Sequence, residues 1–310
     1  MASTFPASES AAVSLRGVSK YYGALHAVDG VDLDIPRGEI FGLIGHNGAG
    51  KSTLFKMMLG LISATQGEIL IGGAQVGGRG FRAARRHLGY LPENVVLYDN
   101  LRGLETLRFF ARLKHANPAQ CQEVLDRVGL AHAGARPVRE YSKGMRQRLG
   151  FAQALLGAPQ VLFLDEPTNG LDPQAIRDFY ATLRTLQSSG VTIVITSHIL
   201  AELQERVDRL AIMANGRIQA LGSVQALREQ AQIPLVFNIT LDAACAPALT
   251  QALHAATGCT VESMPGGLSL SCPREPKMAV LAAITPFGNQ VHDLALREPS
   301  LEDLFFGFSD

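Results

Sequence analysis

The feature that most constrains this chain is a glycine-rich octapeptide that follows a short apolar run. It reads Gly45-His46-Asn47-Gly48-Ala49-Gly50-Lys51-Ser52 and is followed by Thr53. The apolar run before it, residues 39–44, predicts a buried strand, and residues 52–61 predict a helix. A G-x-x-x-x-G-K-[ST] segment between a strand and a helix is typical of a phosphate-binding loop. The alternative is a glycine-rich turn without a ligand, and the strand–helix context argues against it.

Two side chains of this loop have expected roles with a nucleoside triphosphate. Lys51 is expected to contact the β- and γ-phosphates, and the Ser52 hydroxyl to bind Mg²⁺. Backbone N–H groups and the N-terminus of the following helix provide further attraction for phosphate. The sequence therefore predicts ATP and Mg²⁺ as ligands.

A second apolar run, residues 161–164, ends in the acids Asp165 and Glu166. Asp165 at the carboxyl end of a strand is expected to hold Mg²⁺ through its water shell. Glu166 is then the expected general base for the water that attacks the γ-phosphate. Two acids that merely cap a helix are the alternative. The presence of a phosphate loop in the same chain favours the catalytic interpretation.

Length and patterning predict two folded units. The chain has 310 residues, 47% of them hydrophobic, which is enough for a large α/β core and a small second domain. Strand and helix patterns alternate as far as residue 230, and the order then becomes βαββαβ, a ferredoxin-like α+β unit. We predict a flexible N-terminus over residues 1–12, a nucleotide-binding domain over 13–230 and an accessory domain over 231–310. The predicted elements of the first domain are an antiparallel hairpin (13–37), a mostly helical block (101–157), buried strands (161–165, 191–196, 209–213) and a helix (174–187).

Charge and hydropathy exclude several kinds of partner and compartment. Lys+Arg and Asp+Glu are both 28, so there is no basic footprint for nucleic acid. No run of 18 apolar residues is present, and the first residues lack the pattern of a signal peptide. Four cysteines without a C-x-x-C pair fit a reducing compartment. We expect a cytoplasmic protein.

A third motif carries a resemblance to a known family. Tyr141-Ser142-Lys143-Gly144-Met145 precedes the two acids and resembles the signature sequence of ATP-binding cassette (ABC) proteins, usually Leu-Ser-Gly-Gly-Gln. Only Ser142 and Gly144 match that pattern. The other elements of the family occur in their usual order along the chain. They are Tyr22 where an aromatic ring stacks on adenine, a D-loop ending in Asp172, and His198 as the switch histidine. The similarity spans about residues 13–228.

The resemblance implies a fold, an activity and partners. The fold is a P-loop NTPase cassette with a RecA-like core, an antiparallel β subdomain and a helical subdomain over about residues 94–157. The activity is ATP hydrolysis coupled to transport through a separate integral membrane permease, on whose cytoplasmic face the chain would lie. Ser142, Lys143, Gly144 and Met145 would contact the ATP of a second subunit, giving a head-to-tail homodimer with two composite sites.

One position departs from the family in a way that bears on chemistry. The family's Q-loop glutamine aligns with Glu93, which could still bind Mg²⁺ but adds negative charge near the γ-phosphate. Glutamate there, with the tail of residues 298–304, resembles drug-export ATPases of the daunorubicin type. Within that group, residues 45–53, 88–98 and 141–157 resemble the ATPases that serve nitrous oxide reductase maturation. That subgroup implies a periplasmic accessory protein and a cargo for the reductase's copper–sulfur centre; a drug or lipid exporter is the alternative.

The accessory domain contains a second candidate site. Cys259 and Cys272 are equidistant from the Pro265-Gly266 turn, so a simple hairpin would pair them across two strands. With Cys245, His254, Met264 and His292 in the same domain, soft-metal binding is one hypothesis. Because no metal-ligand spacing is present, cysteines packed as small apolar side chains are the favoured interpretation.

Two other classes of protein remain as competing hypotheses. A non-transport ABC ATPase in translation or DNA repair would usually contain two cassettes or a long coiled-coil insertion, and would call for a nucleic-acid partner. A P-loop kinase would leave the signature sequence and His198 without a role. Both therefore explain the motifs less well than a transport ATPase.

Overall fold

The computed structural model describes residues 11–230, without the side chains of 229 and 230, and residues 234–297. The chain divides between Ser223 and Val224 into two compact units, each with its own core. The predicted flexible segment of residues 1–12 lies outside the described residues except for its last two, which belong to the first strand. The tail over residues 298–304 also lies outside them.

The first unit contains ten strands and seven α-helices among the described residues. The strands are β1 (Ala11–Tyr22), β2 (Leu25–Pro36), β3 (Ile40–Ile44), β4 (Gln66–Ile71), β5 (Ala74–Gln75), β6 (Leu88–Leu91), β7 (Val161–Asp165), β8 (Thr192–Ser197), β9 (Arg209–Ala214) and β10 (Arg217–Gly222). The helices are α1 (Lys51–Met58), α2 (Phe81–Ala84), α3 (Gly103–Lys114), α4 (Gln120–Arg127), α5 (Lys143–Leu155), α6 (Pro173–Ser188) and α7 (Leu200–Leu203).

The strands form two sheets. One is antiparallel, with the order β2-β1-β4-β5, and contains the predicted hairpin as β1 and β2. The other has the order β10-β9-β3-β8-β7-β6, and its pairs from β9 to β6 are parallel. Strands β3, β7 and β8 are buried along their whole length, as expected for parallel strands covered on both faces.

Strand register brings the motifs to one edge of the parallel sheet. Ile44, the last residue before the phosphate loop, is opposite Ser197, and Asp165 is opposite Thr196. Because parallel strands end at the same edge, the segments after β3, β7 and β8 all leave the sheet there. The motifs at residues 45–52, 165–166 and 198 are thus neighbours although they are far apart in sequence.

The second unit has the predicted ferredoxin-like order. Helix α8 (Val224–Gln230) is followed by β11 (Leu235–Leu241), α9 (Ala246–Thr257), β12 (Val261–Met264), β13 (Gly267–Cys272), α10 (Lys277–Ile284) and β14 (Val291–Arg297). Its antiparallel sheet has the order β12-β13-β11-β14. Alternate residues of β11 and β13 face a core that also takes Leu249, Leu253 and Val280 from the helices.

The cysteines of this unit are free thiols packed against that core. Cys272 is fully buried, and Cys245 and Cys259 pack beside the cluster. Within the described residues, no group of three or more His, Cys, Asp or Glu side chains could hold a metal ion. Cys272 is therefore part of the apolar core of this unit. None of the helices in the described part of the chain is long and apolar enough to cross a lipid bilayer.

Candidate functional site: a phosphate loop at the edge of a parallel sheet

The phosphate loop has a backbone that requires glycine at particular positions. It joins β3 to α1, and Gly48 and Gly50 have φ angles of 87° and 102°, a region that disfavours residues with a Cβ atom. A Cβ atom at Gly50 would also collide with the carbonyl oxygen of Ala27, and one at Gly45 with that of Met213. The motif's glycines are thus needed both for conformation and for close packing of the backbone.

Lys51 lies buried inside the loop. Its ammonium group donates to the carbonyl oxygens of Gly45 and His46, the latter at 3.2 Å. Burial lowers the pKa of Lys51, and the negative charges of Glu166, Asp165 and Glu93 oppose that shift. The charge of Lys51 is therefore electrostatically coupled to both acids at the end of β7 and to Glu93.

A cavity of about 460 Å³ lies between the loop and the first hairpin. Its lining joins Tyr22, which is half exposed, to the predicted loop residues His46, Asn47, Gly48, Gly50, Lys51, Ser52 and Thr53. This arrangement suits a nucleotide whose base stacks on the Tyr22 ring and whose phosphates bind to the loop. Ala49 is buried behind the loop, where its carbonyl accepts from the N–H of Gly216.

Thr196 positions the two acids at the end of β7. Its hydroxyl donates to Oδ1 of Asp165 at 2.6 Å and accepts from the backbone N–H of Glu166 at 3.0 Å. All three residues are buried. Since a buried carboxylate needs hydrogen-bond donors, this bridge fixes both acids at the edge of the sheet.

Glu166 and His198 are in direct contact. Nδ1 of His198 lies 2.8 Å from Oε2 of Glu166, and the Glu166 side chain is about 10% exposed. Burial raises the pKa of Glu166, while the hydrogen bond from His198 and the charges of His198 and Lys51 act in the opposite direction. A carboxylate with a raised pKa is suited to accept a proton from water. Glu166 also has an unusual positive φ of 46°, a strained conformation of the kind found at functional sites.

The predicted magnesium ligands fit a hard divalent cation. Asp165 offers a second carboxylate oxygen besides the one bonded to Thr196, and Ser52 offers a hydroxyl at the first turn of α1. Oxygen donors of this kind are what Mg²⁺ prefers. Glu93 follows β6, whose Leu91 is opposite Leu164 of β7, and its charge acts on both Lys51 and Tyr90. Glu93 is thus close enough to influence the same site.

The signature residues and the D-loop form a second cluster of motifs. Ser142 caps α5 by accepting from the N–H of Met145, and Asp172 caps α6 by accepting from the N–H of Ala175. The Lys143 side chain packs over Gly170. The cavity beside the phosphate loop is lined, among the described residues, by none of these five: Ser142, Lys143, Gly144, Met145 and Asp172.

Sequence reasoning missed several residues of the site. Thr196 gave no signal, because its role depends on a neighbouring strand. Leu25, His26, Ala27, Asn215 and Gly216 complete the cavity lining. Asn215-Gly216 turns the chain between β9 and β10 and could have been found as a hairpin turn, but nothing local shows that this turn lies beside the phosphate loop.

Comparison with known proteins identifies the family. Residues 28–169 match the family model described as ABC transporter. The daunorubicin resistance ATP-binding protein DrrA3 of Streptomyces coeruleorubidus is 35% identical over 302 residues, covering 95% of this chain and 94% of that protein. The chain belongs to the ATP-binding proteins of ABC transporters. A lantibiotic transport ATP-binding protein of Streptococcus pyogenes is 36% identical, covering 66% of this chain and 88% of its own.

Solved structures confirm the fold of the first unit. An ATP-binding subunit of an ABC transporter superposes with a TM-score of 0.65 at 33% identity, covering 70% of this chain and 92% of that one. The predicted P-loop NTPase cassette is thus confirmed, and this ABC protein is an ATP-hydrolysing, ATP-binding subunit of a transporter.

Proposed function

We propose that Glu166 is the base of ATP hydrolysis in this ABC protein and that His198 holds it in place. The observation that carries the proposal is the 2.8 Å contact between the two side chains, at the edge where Lys51 and Asp165 also lie. Glu166 would take the proton from the attacking water, and Lys51 would bind the transferring phosphate. Asp165, Ser52 and Glu93 would hold Mg²⁺, which supplies positive charge to the phosphates when bound.

The proposed assembly is a head-to-tail homodimer with two composite sites. It is supported by the separation of the signature residues from the cavity that contains the phosphate loop. Ser142 and Gly144 at the N-terminus of α5 offer a phosphate-binding helix end that would act on the partner's ATP. One solved cassette with a related fold is described as a dimer in a post-hydrolysis state bound to ADP and Pi.

The proposed role is to drive a separate membrane permease from the cytoplasmic side of the cell membrane. The names of the relatives, a daunorubicin resistance protein and a lantibiotic transport protein, favour an exporter. The narrower role in maturation of the copper–sulfur centre of nitrous oxide reductase, with a periplasmic accessory protein, rests on three sequence stretches alone. Genes for a multi-span permease and for the reductase beside this one would support that narrower role. Their absence, together with co-purification of an exporter, would reject it.

Substitution Glu166→Gln tests the mechanism. We expect ATP hydrolysis to fall by about 10²–10⁴-fold while ATP binding persists, because the phosphate loop is unchanged. The variant should accumulate as an ATP-bound dimer in size-exclusion chromatography. Glu205→Gln, on an exposed glutamate outside the site, is the matched control. Unimpaired hydrolysis by Glu166→Gln would exclude Glu166 as the base.

A further inference from the structure

Positive charge is concentrated in one stretch of the first unit, residues 69–92. This stretch contains Arg79, Arg82, Arg85 and Arg86 and has no Asp, Glu or Lys, so its formal charge with neutral His87 is +4. Over the whole chain, basic and acidic residues balance at 28 each. All four arginine side chains are exposed. We call these four residues the arginine surface.

The arginine surface has no counter-ions within the protein. In the described part of the chain, none of its four guanidinium groups forms an ion pair, whereas eight arginines elsewhere do so. Arg217, for example, donates twice to Asp29, at 2.9 and 2.6 Å. Because no acid neutralises the four cations, they create a local positive potential that attracts external anions.

The local fold presents three of these arginines on one side. Helix α2 continues at Arg85 into a 3₁₀ turn (Arg85–His87), so Arg82, Arg85 and Arg86 have the i, i+3, i+4 spacing of a single helical face. Phe81 is buried in the core, and its ring packs so closely on Gly60 that a Cβ atom there would collide with it. This anchor fixes α2 with its arginine face towards solvent.

The neighbouring side chains favour a lipid surface over nucleic acid as the source of the anions. Leu61 is 52% exposed and lines a cavity together with Arg85, so an apolar side chain adjoins the cations. Proteins that bind single-stranded nucleic acid usually add exposed aromatic rings. Here Phe81 is buried and Tyr90 is half-buried. Cations beside an exposed apolar side chain suit the headgroup region of a bilayer.

We propose that the arginine surface binds the anionic headgroups of a phospholipid bilayer. The guanidinium groups would donate hydrogen bonds to phosphate oxygens, and Leu61 would lie against the boundary between headgroups and acyl chains. Each arginine near an anionic membrane strengthens binding by about fivefold, so four give a weak and reversible association. This contact would add to attachment through the proposed permease and does not require it.

Sedimentation with protein-free vesicles tests the contact. The full-length chain would be mixed with vesicles of phosphatidylcholine alone or of phosphatidylcholine with phosphatidylglycerol. At about 0.1 M salt, where the Debye length is about 10 Å, we expect binding to the anionic vesicles only. At about 1 M salt, where this length falls to about 3 Å, the binding should be lost.

Three double variants provide the quantitative test. Arg82→Gln/Arg86→Gln should weaken binding to anionic vesicles by about 30-fold, since two charges are removed. Arg82→Lys/Arg86→Lys should bind within about twofold of the wild type, because the charges remain. Arg108→Gln/Arg112→Gln is the matched control, with two exposed arginines at the same spacing on α3, and should bind like the wild type. Thermal unfolding and ATP hydrolysis without vesicles would show that each variant is folded.

Several outcomes would overturn the inference. They are equal binding to neutral and anionic vesicles, no binding to either, wild-type binding by Arg82→Gln/Arg86→Gln, and an equal loss in the lysine variant or in the control. Tighter binding of a labelled single-stranded RNA at the same salt, lost in Arg82→Gln/Arg86→Gln, would assign the surface to nucleic acid instead. Because the vesicles contain no permease and ATP hydrolysis is measured separately, any of these results would leave the proposed function intact.

Discussion

The hydroxyl of Thr196 connects Asp165 and Glu166, the two acids at the end of β7. It donates to the carboxylate of Asp165 and accepts from the N–H of Glu166, and all three groups are buried. A single side chain therefore orients the proposed base and the proposed magnesium ligand together. The strained φ of Glu166 is maintained by this bridge and by the contact with His198.

Substitution Thr196→Val should weaken both folding and activity. Valine has nearly the same shape but leaves the Glu166 N–H and one Asp165 oxygen without partners, which costs about 1–3 kcal/mol of unfolding free energy. Urea denaturation and steady-state ATP hydrolysis would measure the two effects. Thr185→Val, whose hydroxyl is exposed on α6, is the control, and equal stability of the two variants would contradict the proposed bridge.

Lys114 should make the stability of the first unit depend on pH. Its pKa is lowered to about 8 in the folded chain and returns to the ordinary value of a lysine on unfolding. Burial of the charged ammonium group therefore lowers the unfolding free energy below pH 8. This loss of stability decreases as the pH rises towards about 10.4.

The comparison to make is between the wild type and Lys114→Met. From pH 7 to pH 10, the unfolding free energy of the wild type should rise relative to the variant by up to about 3 kcal/mol. Denaturant titrations at the two pH values would measure this change. A difference between the two proteins that does not vary with pH would show that Lys114 has an ordinary pKa.

At the scale of elements, the hairpin of β12 and β13 illustrates how a regular structure can create an apparent site. The register pairs Val261 with Leu270, and its continuation brings Cys259 towards Cys272. Burial is the main cause of the raised pKa of Cys272, and the charge of a Cys259 thiolate adds to it. Because burial disfavours the thiolate that a metal needs, proximity alone does not make a ligand pair.

A Cu(I) titration of the double variant Cys259→Ser/Cys272→Ser should give the same stoichiometry as the wild type. The reason is that Cys272 is fully buried and that the described residues contain no group of three or more His, Cys, Asp or Glu side chains that could hold a metal ion. A competing Cu(I) chelator would report the number of ions bound. Loss of one equivalent in the double variant would establish a two-thiolate site instead.

At the scale of the whole molecule, two copies should be needed for each hydrolysis event. Lys51→Ala disables the phosphate loop, and Gly144→Asp places a negative charge where the partner's phosphates would lie. Each homodimer should be inactive. A mixed dimer, however, contains one site in which both motifs are intact, so mixing the two variants should restore hydrolysis.

A second substitution of Gly144 is the control for the mixing experiment. A Cβ atom at Gly144 would meet Leu171 and the Gly170 carbonyl at 3.6 and 3.7 Å, which are ordinary contacts. Gly144→Ala should therefore fold normally, and a strong loss seen only with aspartate would indicate repulsion of phosphate. If the two inactive variants stay inactive when mixed, the composite-site arrangement is wrong.

Much of the site could be predicted because its motifs are local. The phosphate loop, the acids at the end of β7 and the histidine after β8 each lie within a short segment whose strand context is visible in the sequence. Thr196 and Lys114 could not be found that way, since one acts across a strand pair and the other at the end of a helix far along the chain. Strands β4 and β10 were also missed, because glycine, polar and charged residues interrupt their apolar side chains. Strand β6 was missed because it has only four residues.

Helix α5 joins the signature sequence to the segment that follows β7 in its own subunit. Gln147 donates to the carbonyl of Pro167, the residue after Glu166, at 3.0 Å, and Lys143 covers Gly170 of the D-loop. If Ser142 contacts the partner's nucleotide as proposed, a displacement of α5 would therefore shift the backbone beside Glu166, the proposed base. Occupancy of one nucleotide would then alter the turnover of the other, and the two ATP molecules of a dimer would be hydrolysed with cooperative kinetics.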